Sequence, residues 1–230
     1  MEFFAVIPTY NRPDELLNLV TQLHYNEVKA ENILIINNGR GLPPGVEDCA
    51  VVQEPRPPHI YRMWNMGLSW AERRCFPRSR PDGWPVPPHA VAILNDDVEV
   101  PPDFAARMIE CLRDTQATIA FPDQGPGIVN EVPLDGKPTP QPLAKKRITG
   151  YCFVVNGTHG IRCDERFHWW YGDDDLDWQA RRDYNGTWEV DGLTVKHLYP
   201  SESTNGNPEL LTQAFRDRQT FISKWGKAPW

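Results

Sequence analysis

The chain has 230 residues, of which 40% are hydrophobic, and it carries nine tryptophans. This length and apolar content predict a globular protein with a sizeable core and exclude a disordered chain. The formal net charge of −7 argues against a surface built mainly to bind nucleic-acid phosphates.

Five cysteines without a CxxC pair indicate neither a disulfide framework nor a zinc site, so we expect buried thiols in a reducing compartment. The first residues do not show the pattern of a signal peptide, in which a charged segment precedes an apolar one. No apolar run approaches the ~18 residues that a transmembrane helix needs. We therefore expect a soluble, cytoplasmic protein without a transmembrane segment. The 23 prolines concentrate in stretches such as 76–89 and 121–143, which predicts long surface loops. For 121–143 we expect a mobile lid.

Short apolar runs alternate with helical patterns in the first half of the chain. The pattern predicts strands and helices in turn: a strand over 3–7, a helix capped by Asn11, a strand over 33–36, a helix over 61–74, a strand over 90–94 and a helix from Phe104. Strands that alternate with helices imply right-handed crossovers and a mostly parallel sheet.

The second half continues this order less regularly. We predict a strand over 151–155, a helix over about 174–184, a strand near 193–198 and a last helix that carries Leu211, Phe215 and Ile222. Internal repeats and a convincing linker are both missing, so a single domain over 1–230 is expected.

Ligands of open parallel sheets bind outside the carboxyl ends of the strands, so the polar residues there are the first candidates for a site. These residues are Thr9, Tyr10, Asn11 and Arg12 after the first strand, Asn37 and Asn38 after the second, and Asn95, Asp96 and Asp97 after the third. A GxGxxG or GxxxxGK[ST] loop is not present, so neither a Rossmann dinucleotide site nor a P-loop is supported.

The triplet Asn95-Asp96-Asp97 follows an apolar strand. Mg²⁺ and Mn²⁺ take oxygen ligands, and they often use one or two carboxylates plus substrate phosphates. The alternative is a solvated turn whose side chains bond to nearby backbone. The triplet by itself does not decide between these two interpretations.

A second cluster, over 169–178, places four aspartates among aromatic residues. Carboxylates beside apolar rings have raised pKa values and can act as general bases near neutral pH. The alternative is an acidic helix start whose aromatic neighbours belong to the core.

Four segments in this order resemble the motifs of the family-2-type nucleotide-sugar glycosyltransferases, which have the GT-A fold. Residues 6–12 resemble the opening motif, 33–39 the second strand and its nucleotide-contacting turn, 94–100 the metal-binding DxD segment, and 167–181 the acidic stretch with the catalytic base. The resemblance touches most of residues 3–200. It implies a single GT-A-like α/β domain, a mostly parallel sheet flanked by helices with long Pro-rich loops. Its halves would be a nucleotide-sugar-binding part over 1–115 and an acceptor and catalytic part over 145–230.

The resemblance assigns candidate residues to the donor and to a divalent metal, Mn²⁺ or Mg²⁺. Asp97 matches the carboxylate that reaches the metal and the donor diphosphate, and His197 resembles a histidine that some relatives use there. Asn95 stands where the first acid of DxD usually lies, and Asn37 replaces the usual Asp that contacts the base. The complete set of candidate nucleotide-sugar contacts is Pro8, Thr9, Tyr10, Arg12, Asn37, Asn65, Asn95 and Asp96.

For the catalytic base, the resemblance allows two alignments of the acidic stretch. Asp175 aligns with it when the segment is matched backwards from Arg181, and a one-residue slip would select Asp174 instead. Trp169 and Trp170, together with Asp174, are candidate contacts to the sugar or acceptor.

The implied reaction is inverting transfer of one sugar from a nucleotide-sugar donor, most simply a UDP-sugar, to an acceptor hydroxyl. Residues 179–183 lack the QxxRW ending of processive polymerases, which favours single transfer. The acceptor could be a saccharide, a lipid-linked molecule, a protein or a modified DNA base. A nucleotidyltransferase, which would carry a phosphate loop rich in glycine and lysine, and a non-catalytic sugar-binding module are the alternatives.

Overall fold

A computed structural model of the protein describes residues 1–76, 86–123, 147–200 and 207–228. Most of the two Pro-rich stretches, and with them the predicted lid, lies outside these residues. The strands are β1 (Glu2–Thr9), β2 (Ile33–Asn37), β3 (Ala50–Gln53), β4 (His89–Leu94), β5 (Val98–Glu99), β6 (Ile119–Asp123), β7 (Cys152–Asn156), β8 (Thr187–Thr194) and β9 (Lys196–His197). The α-helices are α1 (Pro13–Tyr25), α2 (Ile60–Cys75), α3 (Phe104–Thr115), α4 (Gly172–Asp183) and α5 (Pro208–Trp225), with 3-10 turns at Ala30–Asn32 and Gly157–His159.

Seven strands form one sheet in the order β3-β2-β1-β4-β7-β6-β8, and β5 pairs with β9 in a separate two-stranded ribbon. Within the seven-stranded sheet β7 runs antiparallel to both β4 and β6, and the remaining pairs are parallel. The predicted single α/β domain with a mostly parallel sheet is thereby confirmed.

Helices cover both faces of the sheet, which explains why its central strands read as continuous apolar runs. On one face Phe3 and Ile7 pack in the same core cluster as Leu19 of α1. On the other face Val6 packs with α2, and the approach is so close that a Cβ on Gly67 would lie 2.3 Å from a Val6 methyl. Glycine is therefore required where α2 crosses β1.

The last helix has a different buried face from the expected one. Leu211 and Phe215 are exposed, whereas Phe221 and Asp217 are buried. Phe221 packs in the core beside Trp178 of α4, with ring centroids 4.9 Å apart. The helix is confirmed, but it is held to the domain through its second half.

All five cysteines are free thiols. Among the described residues, no helix combines the length and the apolar character needed to cross a membrane.

Candidate active site

Strand β1 and strand β4 are parallel neighbours, so the residues that follow them meet at one edge of the sheet. Thr9 Oγ1 donates a hydrogen bond to Asp96 Oδ2 at 2.8 Å, and the Tyr10 backbone N–H donates to the same oxygen at 3.4 Å. Burial raises the pKa of Asp96 to about 6, although the Thr9 hydrogen bond and the charge of Arg12 oppose the rise. The two predicted strand-end groups are thus brought into direct contact.

Asp97 is contacted by residues from two distant parts of the chain. The guanidinium of Arg12 donates a hydrogen bond to Asp97 Oδ2, and His197 Nε2 lies 3.3 Å from Asp97 Oδ1. Burial by itself would raise the pKa of Asp97, but the imidazole of His197 and the charge of Arg12 outweigh burial and hold that pKa below its usual value.

The ribbon of β5 and β9 explains why His197 reaches this site. Val98, the residue after Asp97, is registered opposite His197, and the Leu198 N–H donates to the Asp97 carbonyl at 2.9 Å. Tyr151 stacks on the His197 ring with centroids 4.7 Å apart and fixes its plane. The proposed metal pair, Asp97 and His197, is therefore brought together by tertiary structure.

The residues at this edge fit a divalent cation only in part. Groups of three or more His, Cys, Asp or Glu side chains able to hold a metal do not occur within the described ranges. The buried Oδ1 of Asp97, however, has no well-aligned hydrogen bond there, and one imidazole nitrogen faces it. One carboxylate suits Mn²⁺ or Mg²⁺ when diphosphate oxygens complete the coordination, whereas the imidazole nitrogen is a ligand that softer ions prefer.

Other predicted donor contacts have specific partners. Asn37 donates to Gln53 Oε1 at 3.0 Å and accepts the Gly39 N–H at 2.8 Å, so its amide shapes the turn after β2. Tyr10 is 62% exposed at the same edge and presents its ring to solvent. Pro8 is buried within β1, opposite Ile36.

Asn95 and Asn65 differ in position. The Asn95 backbone N–H donates to the Tyr151 carbonyl at 2.9 Å, which keeps Asn95 at the strand-end edge. The amide of Asn65 instead binds Cys163 in both directions, as donor to its carbonyl and acceptor from its N–H, each at 2.9 Å. These hydrogen bonds therefore join α2 to the segment before the acidic cluster rather than to Asp96 and Asp97.

The aspartates at the start of α4 point in different directions. Asp173 Oδ2 accepts the Gly150 N–H at 2.9 Å, and Asp174 Oδ1 pairs with Arg147 Nη1 at 2.5 Å. Both partners belong to the segment that enters β7, whose first residue Cys152 is registered opposite the end of β4. Asp173 and Asp174 therefore face the segment that leads to the strand-end site.

Asp175 faces the opposite way, toward α5. Its carboxylate accepts from Lys224 Nζ at 2.8 Å, from Trp225 Nε1 at 2.8 Å and from Gln179 Nε2 at 2.6 Å, and Asp175 is fully buried. Sequence reasoning missed these α5 partners, because a contact between positions 175 and 224 leaves no local pattern.

The pKa values of the two candidate bases move in the same direction. Burial, followed by the negative charge of Asp173, raises the pKa of Asp174 to about 8, while Arg147 opposes the rise. Burial also raises the pKa of Asp175, against the hydrogen bond and charge of Lys224.

The aromatic residues before α4 have separate environments. Trp178 is 2% exposed and belongs to the core. Trp169 and Trp170 are partly exposed, and their backbone N–H groups donate to Asp217 Oδ2 at 2.8 and 2.9 Å. Helix α5 therefore fixes the backbone that carries both predicted sugar contacts.

Comparison with known proteins agrees with this architecture. Crystal structures of TarS from S. aureus superpose with a TM-score of 0.57 for its residues 1–349 (11% identity, 98% of this chain and 74% of that chain) and 0.59 for a longer form (10% identity, 100% and 40%). The mannosyltransferase PcManGT from Pyrobaculum calidifontis, in complex with GDP-Man and Mn²⁺, gives 0.54 (13% identity, 99% and 66%). At these identities the likeness concerns the fold.

No curated protein sequence matches the chain significantly. The sequence model described as glycosyl transferase family 2 matches residues 4–186, which is most of the chain and includes Asp96, Asp97 and the acidic helix but ends before His197. The chain therefore belongs to glycosyl transferase family 2 and is a glycosyltransferase.

Proposed function

We propose that the protein is an inverting, non-processive glycosyltransferase that moves one sugar from a nucleotide-sugar donor to an acceptor hydroxyl. The observation that carries this proposal is the convergence of Arg12, Asp97 and His197 at the carboxyl end of β4. Two structural neighbours support a nucleotide donor: TarS has been crystallised with UDP, and PcManGT with GDP-Man and Mn²⁺.

The donor, most simply a UDP-sugar, would lie along the edge formed by the ends of β1, β2 and β4. The exposed ring of Tyr10 offers a face for the nucleotide base, next to the turn shaped by Asn37. Thr9, Asn95 and Asp96 would line the path from base to diphosphate, with Pro8 shaping β1 beneath them. Asn65 remains a proposed contact, although its amide is hydrogen-bonded to the backbone of Cys163.

Asp97 and His197 would hold the divalent cation, Mn²⁺ or Mg²⁺, together with the donor diphosphate. When bound, the cation neutralises the charge that develops on the leaving nucleoside diphosphate. Arg12 lies beside the proposed metal ligand, since its guanidinium donates a hydrogen bond to Asp97. A guanidinium binds phosphate oxygens in a bidentate manner, so Arg12 would pair with the diphosphate once the donor is present.

The general base is better supported at Asp174 than at Asp175. Asp174 lies on the side of α4 that faces the segment entering β7, and burial gives it a raised proton affinity. Asp175 is enclosed by three donors that include two from α5. As the acceptor oxygen attacks the anomeric carbon opposite the leaving group, Asp174 would take its proton, and the configuration inverts.

The remaining assignments extend this picture. Trp169 and Trp170 would contact the sugar or acceptor through their aromatic faces. The part over 1–115 would bind the donor, and the part over 145–230 would supply the base and the acceptor site. We place the protein in the cytoplasm, because its five unpaired cysteines suit a reducing compartment.

Incubation with a panel of UDP-, GDP-, TDP- and CMP-sugars tests the function. We expect slow release of nucleoside diphosphate from one donor, and we expect the release to need Mn²⁺ or Mg²⁺ and to stop with chelator. Release of pyrophosphate in a parallel incubation with nucleoside triphosphates and sugar 1-phosphates would instead indicate a nucleotidyltransferase. Saturable binding of a sugar without any turnover would indicate a non-catalytic module.

A further inference from the structure

A groove of about 380 Å³ lies between α5, the turn before α2 and the loop before α4. We call it the α5 groove. Its lining includes Pro57, Pro58, His168, Trp169, Glu209 and Arg216. Helix α5 begins after residue 186, where the family match ends, so this wall of the groove lies outside the matched residues.

The groove opens at the same end of the molecule as the strand-end site. Helix α2 follows β3, and its first residues lie at the carboxyl ends of the parallel strands. Tyr61 of α2 donates its hydroxyl to the Trp169 carbonyl at 3.3 Å, and Gly172 at the start of α4 packs against the Tyr61 ring. Trp169 lines the groove and belongs to the loop that runs directly into α4, the helix that carries the proposed base Asp174.

A buried carboxylate holds the groove in shape. Asp217 of α5 is 1% exposed and accepts the backbone N–H groups of His168, Trp169 and Trp170 at 3.2, 2.8 and 2.9 Å. Gln213 donates a further hydrogen bond to Asp217 at 2.8 Å. The side chains of His168 and Trp169 are thus presented on a fixed backbone, and a preformed surface loses little entropy when a ligand binds.

The chemistry of the lining selects among ligands. Trp169 offers an apolar aromatic face, while Arg216, Glu209 and His168 offer charged and polar groups around it. This pairing suits a sugar ring, which has apolar C–H faces and a rim of hydroxyls that donate and accept hydrogen bonds. A lipid chain would pack on the apolar part of the lining, which includes Trp169 and Leu210, but it would offer no hydrogen bond to Arg216, Glu209 or His168, and the net charge of −7 disfavours a nucleic-acid strand.

We propose that the α5 groove is the acceptor site and that the acceptor is a saccharide. This inference rests on the proposed transferase function, because in that function the saccharide supplies the hydroxyl that receives the sugar. The rigid pair Pro57-Pro58 would form one wall, and Trp169 would stack on the sugar unit that carries the reacting hydroxyl.

Saturation-transfer NMR on the full chain tests the proposal without the donor. The probes are free glucose, galactose, mannose, N-acetylglucosamine and the disaccharides lactose, maltose and cellobiose. We expect at least one to bind the wild-type protein, and we expect Trp169→Ala and Arg216→Ala each to weaken it at least tenfold. The matched control is Arg73→Ala, which removes the same charge from an exposed arginine lining the separate groove beside α2 and β3, and which should bind like wild type.

The outcomes separate this inference from the proposed function. Absence of binding by every saccharide, or equal binding by wild type, Trp169→Ala and Arg216→Ala, overturns the acceptor assignment even if UDP with Mn²⁺ still binds. Saccharide binding that depends on Arg216 in a protein that turns over no nucleotide sugar would keep the saccharide site and overturn the transferase. Thermal unfolding of each variant shows whether it is folded. If Trp169→Ala does not fold, Arg216→Ala still decides the test, because Arg216 lies at an exposed position.

Discussion

Asp175 of α4 and Lys224 of α5 form an ion pair in which Lys224 Nζ lies 2.8 Å from Asp175 Oδ1, and the aspartate side chain is fully buried whereas that of the lysine is 18% exposed. Asp164 lies 2.9 Å from the same ammonium group and extends the pair to a second carboxylate. The relationship joins the acidic helix of the proposed site to a helix beyond the family match. The ion pair also distinguishes the two candidate bases, because it engages the Asp175 carboxylate, whereas Asp174 lies on the other side of α4.

The first prediction concerns the base. Asp174→Asn removes the proton acceptor but keeps the size of the side chain, so transfer should slow at least ~100-fold while affinity for UDP with Mn²⁺ changes little. Asp175→Asn should keep most of the turnover of its folded fraction and lose stability instead. Transfer rates with a working donor and acceptor, beside calorimetric UDP titrations, measure both. Collapse of turnover in Asp175→Asn with near-normal Asp174→Asn would return the base to position 175.

The second prediction concerns the Asp175–Lys224 pair. Lys224→Met leaves the Asp175 carboxylate buried without its cation, and breaking a buried pair from one side costs about 3–5 kcal/mol in the free energy of unfolding. Urea unfolding of both proteins measures this loss. The control is Lys196→Met, which breaks an exposed pair with Glu99 and should cost at most about 1 kcal/mol. Equal losses in the two variants would contradict the structural role of Lys224.

The third prediction concerns pH. Asp174 faces Asp173 and Asp177, which carry the same charge, and Arg147, which opposes them, and its pKa is raised to about 8. Because the folded pKa exceeds the unfolded one, the neutral carboxyl stabilises the fold at low pH, and this contribution is lost as pH rises from about 4 to about 8. Asp174→Asn should therefore gain stability relative to wild type over that window, by at most about 1.4 kcal/mol per pH unit.

Urea unfolding of both proteins at pH 5, 7 and 9 follows this difference. A constant difference between the variant and wild type across the three values would contradict the raised pKa. The same titration predicts that the transfer rate of wild type rises between pH 6 and pH 9 as the base loses its proton.

The fourth prediction concerns the metal. Asp97→Ala removes the carboxylate that faces both Arg12 and His197, so UDP affinity in the presence of Mn²⁺ should fall at least about tenfold, which corresponds to ~1.4 kcal/mol. Chelator should lower the wild-type affinity to a similar level and have little effect on the variant. Asp103→Ala, at an exposed aspartate before α3, is the control that loses the same charge. Identical UDP affinity with and without chelator in wild type would remove the metal from the proposal.

Several elements were predictable because their signals are local. The runs 3–7, 33–36 and 90–94 are buried on both faces and became the central strands β1, β2 and β4. Strands β3 and β6 escaped prediction, since β3 is half exposed along its length and β6 contains Pro122. A short edge strand or one interrupted by proline does not show a continuous apolar run.

By itself the sequence determined the α/β fold class, the family and the placement of Thr9, Asn37 and Asp97 at strand ends. These features could be predicted because apolar periodicity and short motifs depend on residues that are close together in sequence. Only the tertiary structure decided what those residues meet. Arg12 and His197 reach Asp97 across 85 and 100 positions, through parallel pairing of β1 with β4 and antiparallel pairing of β5 with β9.

The same distinction governs the acidic helix. Successive residues of an α-helix are rotated by about 100°, so Asp173, Asp174 and Asp175 must face different surroundings. Which aspartate faces Gly150, Arg147 or Lys224 depends on how α4 is oriented between the segment entering β7 and α5. That orientation is set by packing between distant segments, so the local sequence of three consecutive aspartates does not determine it.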